Sequence, residues 1–283
     1  MLQPKTVTAT DLGDAFHQLL FTAVDHGQQF IIDRGSNAGQ KRCELDYITV
    51  HVTRPWDLPL LPKVNPALNM PDPVDEAYLA EYMPYLMTGA EKVGESYTYG
   101  RRICMADAAN IVARTGIEHI IPEATQGNEL PDNVIWKNPE TGGSAIDQME
   151  LMIWTYKNKG HRSNQMIMQV AETTDIVLQH PPCLRHIDTR IQGGALHFFP
   201  YFRSWDLYGG FPANMAAIEL MKQYCADQIG VKNGEIIASS KGLHLYDYVF
   251  EIAEAMRGHK MAHACDQDAD NVITYHNFKG GLN

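Results

Sequence analysis

Cys183 follows Pro181 and Pro182, and Arg203, Ser204, Asp206 and Asn214 come soon after it in the chain. A thiolate is a nucleophile able to attack an electron-poor ring. A guanidinium fork matches the oxygens of an anionic group such as a phosphate. The two prolines restrict the backbone entering Cys183. Between Cys183 and Arg203 the residues read as two strands joined by Gln192-Gly193-Gly194, a hairpin turn that brings Arg203 back to the start of the first strand. A cation there lowers the thiol's pKa and enlarges the thiolate fraction. Each residue also has a plainer reading. A cysteine by a strand is often a small apolar packing residue, and Arg203 suits a surface ion pair. Asn214 suits a helix cap, and His244 and Tyr246 suit an ordinary amphipathic strand.

The elements that must carry these side chains are legible in outline. Residues 10–26 repeat Leu12, Phe16, Leu19, Leu20 and Val24 at helical spacing behind Asp11 as a cap. Residues 30–41 read as a loop rich in Gly, Ser and Asn, and Ile48, Val50 and Val52 alternate as a strand does. Pro55, Pro59, Pro62, Pro66, Pro71 and Pro73 exclude a regular helix from 54–73. Glu76 to Leu86 reads as a helix that Pro84 kinks or ends, and Ser144 to Asp147 as a capping box before a helix reaching about Asn158. Met166–Val170, Leu184–Ile191 and Leu196–Phe202 read as strands. Pro212 then starts a helix to Ile229 with Met215, Ala217, Ile218, Met221 and Cys225 on its buried stripe. Mixed strands and helices with hairpins give an α+β class.

Bulk properties narrow the partners. The chain has 283 residues, 45% of them hydrophobic, enough for one substantial core. A net charge of −11 gives no basic footprint for nucleic acid, so no nucleic-acid partner is expected. Local arginines still permit a small phosphorylated ligand. Five cysteines without a CxxC pair read as free thiols in a reducing compartment. No apolar run approaches the roughly 20 residues of a membrane span, and Met1 to Lys5 lacks a signal peptide's apolar core. The expectation is a soluble cytoplasmic protein (in the host cytoplasm if viral) with no membrane partner. His259, His263 and Cys265 lack a further ligand cluster. The run from Asp266 carries Asn271 and Asn277 where a calcium loop needs Gly and Glu, so no metal is expected.

Taken together, Cys183 after two prolines, Tyr201-x-Arg203-Ser204-x-Asp206, Gly210-x-Pro212-x-Asn214 and His244-x-Tyr246 resemble the thymidylate synthase family, which includes pyrimidine hydroxymethylases. The resemblance is strongest over 160–250. It is weaker at Asp33-Arg34-Gly35 and Tyr97-Thr98-Tyr99-Gly100-Arg101, and 54–95 and 121–143 are inserted or divergent. It implies a thymidylate synthase-like α+β fold, with a mixed β-sheet packed with helices in a single domain over 1–283. One sheet face is expected at a homodimer interface. It implies dUMP and 5,10-methylenetetrahydrofolate, a reduced folate, as substrates. Cys183 would add to C6 of the pyrimidine so that C5 attacks the one-carbon unit. Arg34, Arg203 and Ser204 would hold the phosphate, and Asn214 would read N3 and O4. His244 and Tyr246 would hold the sugar 3′-hydroxyl, Asp206 would contact the folate, and Tyr99 would touch the substrate. Hydride transfer would give dTMP; water would give hydroxymethyl-dUMP.

The sequence departs from the family at several points. Leu184 replaces the His that follows the cysteine, and Phe202 replaces a Gln. Ser163-Asn164-Gln165 stands where most members supply an arginine pair to the partner subunit, leaving Arg162 or His161 as substitutes. The Glu-Leu-x-Trp-Phe-Leu segment has no clear counterpart. Tyr82 to Gly89 stands in its place, and the resemblance then makes Glu81 the candidate for the proton-shuttling carboxylate. These departures resemble the archaeal- and phage-type branches, and they motivate a second reading, a catalytically silent nucleotide- or RNA-binding relative. A cysteine hydrolase ranks last, because His186 lies three residues along the strand from Cys183 and faces the other way.

Overall fold

The structure, a computed structural model, describes residues 1–33, 37–95, 97–107, 134–137 and 144–261. Helix α1 (Leu12–His26) starts where expected, with the Asp11 side chain accepting from the Asp14 N–H at 2.8 Å. Leu12, Phe16, Leu19, Leu20 and Val24 are all buried along it. The main sheet has six strands in the order β1 (Pro4–Ala9), β4 (Tyr47–Val52), β12 (Lys232–Ser240), β10 (Ala195–Phe202), β9 (Leu184–Gln192) and β8 (Ile167–Gln169). It mixes parallel pairs, β1 with β4 and β10 with β12, with antiparallel ones. One face alternates inward: Leu196, Phe198 and Phe202 of β10 are buried, as are Ile236 and Ala238 of β12. The turn between β9 and β10 needs left-handed backbone at two successive positions, and Gly193 (φ 61°) and Gly194 (φ 76°) supply it.

Helix α5 (Phe211–Ile229) packs beneath this sheet with Pro212 in its first turn. The five residues of the expected stripe are buried, but so are Glu219 and Lys222, joined at 2.8 Å. Lys222 also donates to the Gly234 carbonyl of β12. Helix α2 (Glu76–Met87) carries Pro84 in its last turn and ends one residue beyond the expected Leu86; the Thr88 hydroxyl and N–H both return to the Pro84 carbonyl. Helices α3 (Tyr99–Cys104), α4 (Gln148–Lys159) and α6 (Phe250–Arg257) complete the α-helices among the described residues. One contiguous apolar core runs from α1 through the sheet to Met261. No described helix is long and apolar enough to cross a membrane.

Two expectations are corrected. Ser144 does not cap a helix: Ser144–Ile146 is strand β7, paired with β6 (Ile135–Lys137) and with β5 (Ala106–Asp107). The cap of α4 is Asp147, accepting from the Glu150 N–H at 3.0 Å. The segment 30–41 is not loop throughout. Strand β2 (Gln28–Ile31) pairs with β3 (Lys41–Leu45), which pairs in turn with β13 (Leu243–Tyr246), and β13 pairs with β11 (Trp205–Asp206). This smaller sheet is what carries His244 and Tyr246 to the residues after Arg203. The greater part of 121–143 lies outside the described residues, as do His263, Cys265 and the acidic run after them.

Candidate active site

A cleft of about 660 Å³ opens between α2 and the end of the β9–β10 hairpin. Its size falls within the range of small-molecule sites. Cys183, Ser204, Trp205 and Asp206 lie along one wall, and Asn214 enters from the first turn of α5. Tyr78, Glu81, Tyr82 and Tyr85 form the α2 side, with Tyr99 beyond them.

Cys183 is half-buried one residue ahead of β9. The hairpin closes on it: the Arg203 N–H donates to the Cys183 carbonyl at 2.8 Å. The Arg203 guanidinium grips the proline pair, donating from Nε to the Pro182 carbonyl at 3.1 Å and from Nη2 to the Pro181 carbonyl at 2.6 Å. Arg185 donates to the Pro182 carbonyl too, at 3.2 Å, and pairs with Asp175 at 2.8 Å. Asp175 also takes Arg102 at 3.0 Å. Burial works against that carboxylate, but the Glu172 N–H and the two guanidinium groups hold its pKa below the usual range. For Cys183 the balance goes the other way. Burial raises the thiol's pKa above its ordinary value, against the pull of Arg203, Arg42 and Arg185 and with a push from Asp206.

Arg42 was not singled out from the sequence, and it lies at the centre of the charge arrangement. From β3, its Nη2 meets Glu44 at 2.6 Å, His244 Nδ1 at 2.8 Å and the Ser204 hydroxyl at 2.9 Å. The antiparallel register of β3 with β13 sets Arg42 opposite Tyr246 and Glu44 opposite His244. Burial, then the Arg42 charge, lowers the His244 pKa to about 3, so the ring is neutral at physiological pH. Its Nε2 is buried with no hydrogen-bond partner among the described residues. Tyr246 packs edge-on to His244 at 4.8 Å, and its hydroxyl accepts from Asn37 at 2.9 Å. The one signal in sequence for Arg42 was the alternation of polar and apolar residues in Lys41-Arg42-Cys43-Glu44-Leu45.

Asp206 accepts from the Tyr208 and Gly209 N–H groups at 3.0 and 3.3 Å, and burial raises its pKa. Asn214 does not cap α5. The cap is Gly210, and the Asn214 side chain bonds Trp205 and Tyr82 instead. The Tyr99 hydroxyl accepts from the Leu184 N–H at 3.4 Å, and its ring stands edge-on to Tyr85 at 5.1 Å.

The structure therefore brings Glu81, Tyr99, Cys183, Ser204, Asp206 and Asn214 to one cleft. Arg203 stands behind the proline pair, and His244 connects to Ser204 through Arg42, with Tyr246 packed against it. Arg162 is exposed between α4 and β8 and is not among the residues lining the cleft. Arg34 lies outside the described residues. No group of three His, Cys, Asp or Glu side chains fit to hold a metal occurs among the described residues.

The family model described as Thymidylate synthase matches residues 97–267, more than half of the chain and the part that holds this thiol. The chain belongs to the thymidylate synthase family. It is 22% identical to a protein of Methanosarcina barkeri named “Putative thymidylate synthase”, over 88% of this chain and 93% of the relative. A protein of the same name from Methanococcoides burtonii is 23% identical over the same shares. A “Thymidylate synthase” of Corynebacterium aurimucosum is 28% identical over 44% of this chain and 47% of its own length.

Proposed function

We propose that this member of the family transfers a one-carbon unit to C5 of dUMP and releases dTMP, through a covalent adduct of Cys183 with C6. The observation that carries this reading is the placement of Cys183, Asp206 and Asn214 on one cleft, with Arg203 tied to the loop that presents the thiol. The Cys183 thiol gives up its proton and its sulfur adds to C6. The ring electrons move toward C5 and O4, and the Asn214 amide meets the charge growing on O4. The second substrate, 5,10-methylenetetrahydrofolate, supplies the carbon that C5 takes up. A carboxylate then removes the C5 proton, and we assign that work to Glu81, which lines the cleft from α2. The bond from the new carbon to the folate nitrogen breaks, leaving an exocyclic methylene at C5 and tetrahydrofolate. Hydride from that tetrahydrofolate, which becomes dihydrofolate, turns the methylene into a methyl group, and expulsion of the Cys183 sulfur restores the C5–C6 double bond.

The aromatic faces of Tyr78, Tyr82 and Tyr85 suit a flat bicyclic ring, which is how the cleft fits a folate. Ser204, with Arg42 bonded to its hydroxyl, supplies a donor beside a cation for the nucleotide phosphate, and Arg203, whose Nε and Nη2 hold the proline carbonyls, adds its charge from behind. The neutral His244 and the Tyr246 hydroxyl serve the sugar. The protein acts as a cytoplasmic homodimer of one domain over 1–283, paired through the solvent face of the main sheet. A second reading, hydroxymethylation, is favoured by one feature: Tyr78 at the mouth is 51% exposed, so the α2 wall leaves water a route to the new carbon. Mass spectrometry of the nucleotide after incubation with dUMP and methylenetetrahydrofolate tests both. A gain of a methyl group with release of dihydrofolate is the expected outcome. A gain of a hydroxymethyl group moves the protein to the second reading, and an unchanged nucleotide refutes both.

A further inference from the structure

The Asn214 amide is not free to turn. An indole N–H is a donor only, so the atom facing it must be an acceptor. The Trp205 Nε1–H meets Asn214 Oδ1 at 3.0 Å. On its other side the amide donates from Nδ2 to the Tyr82 hydroxyl at 2.8 Å. A tyrosine hydroxyl both donates and accepts and would tolerate either orientation, so the indole decides it. The indole itself is pinned. Trp205 is 1% exposed, lies flat on Phe202 with ring centres 4.0 Å apart and planes 8° apart, and rests against Phe211 at 4.9 Å.

A primary amide has two N–H donors and two oxygen lone pairs. Trp205 occupies one lone pair and Tyr82 one N–H, which leaves one donor and one acceptor at the cleft. The uracil ring presents a carbonyl at C4 and an N–H at N3, which match that pair. Cytosine presents an amino group at C4 and a bare N3, so donor would face donor and lone pair would face lone pair. We infer that Trp205 is the specificity-setting residue of this site: its indole N–H holds the Asn214 amide in the one orientation that accepts a 4-oxo pyrimidine nucleotide and turns away a 4-amino one. This rests on the reading of the cleft as the pyrimidine nucleotide site. Trp205 acts through Asn214 and is a positioning residue.

The test is calorimetric binding of dUMP and dCMP to the wild type, Trp205→Phe, Asn214→Asp and the double variant. The wild type prefers dUMP. Trp205→Phe keeps an aromatic ring but loses the N–H donor, so the dUMP-over-dCMP preference falls about tenfold, the worth of one hydrogen bond. In the Asn214→Asp background the same change leaves the preference where it was, because a carboxylate has no amide orientation to fix. A Trp205→Phe protein with the wild-type preference overturns the proposal. A wild type that binds neither nucleotide refutes the nucleotide site itself, and the proposal with it, which is a different result from an unchanged ratio. Should Trp205→Phe fail to fold, the indole proton of Trp205 in the nitrogen-15-labelled wild type decides. It exchanges slowly and holds its chemical shift when dUMP binds; rapid exchange or a large shift on binding overturns the lock.

Discussion

Burial raises the Cys183 thiol even though Arg203, Arg42 and Arg185 all oppose it, so the free protein keeps this sulfur protonated at neutral pH. Iodoacetamide labelling of Cys183 should therefore accelerate with pH past the ordinary thiol range. Removing one opposing cation, with Arg42→Ala, should move that profile to still higher pH; a rate already level near neutral pH would contradict the balance. The same substitution takes from His244 a charge that helps lower its pKa, so that pKa should rise from about 3. The residue types after the Pro-Pro pair were legible in the sequence because they stand in short, fixed spacings that the hairpin brings together. Arg42 was not. Its neighbours Ser204, Gly242 and His244 are remote in the chain, and only the β3–β13 register joins them. The bond between Trp205 and Asn214 was equally hidden, since a tryptophan between Ser204 and Asp206 reads first as core.

At the scale of elements, period-two and helical patterns gave α1, β4, β9, β10 and α5 close to their true bounds, because each buries one side of a regular repeat. The failures have physical causes. Ser144 and Asp147 are both good caps, and the strand pairing of β7 decided for the second. The spacing of α5 gives its apolar stripe, but Glu219 and Lys222 suggest an exposed face and form an ion pair instead. Both are fully buried, and Asn233 donates to Glu219 at 2.6 Å. Breaking a buried pair leaves an uncompensated charge. Glu219→Ala should therefore cost about 3–5 kcal/mol in urea unfolding, whereas replacing both residues by apolar ones of similar volume should cost far less. Equal losses for the single and double variants would mean that packing, not charge, dominates at this helix.

Across the whole molecule, the solvent face of the main sheet carries Phe199, Tyr201 and Ile237, with His186 stacked on Tyr201 at 5.6 Å. This is the face proposed above to meet a second copy. Phe199→Glu should shift the protein toward monomer in sedimentation velocity while leaving its circular dichroism unchanged; an undisturbed dimer would place the contact elsewhere. Turnover belongs to the same scale, because it needs the hairpin, the small sheet, α2 and α5 at once. The most direct measurement of it uses dUMP tritiated at C5. Tritium should pass to water when methylenetetrahydrofolate is present, and Cys183→Ala should stop the release while still binding dUMP. Label that stays on the ring with the wild type, or that leaves equally fast without the Cys183 sulfur, would contradict the Cys183 adduct.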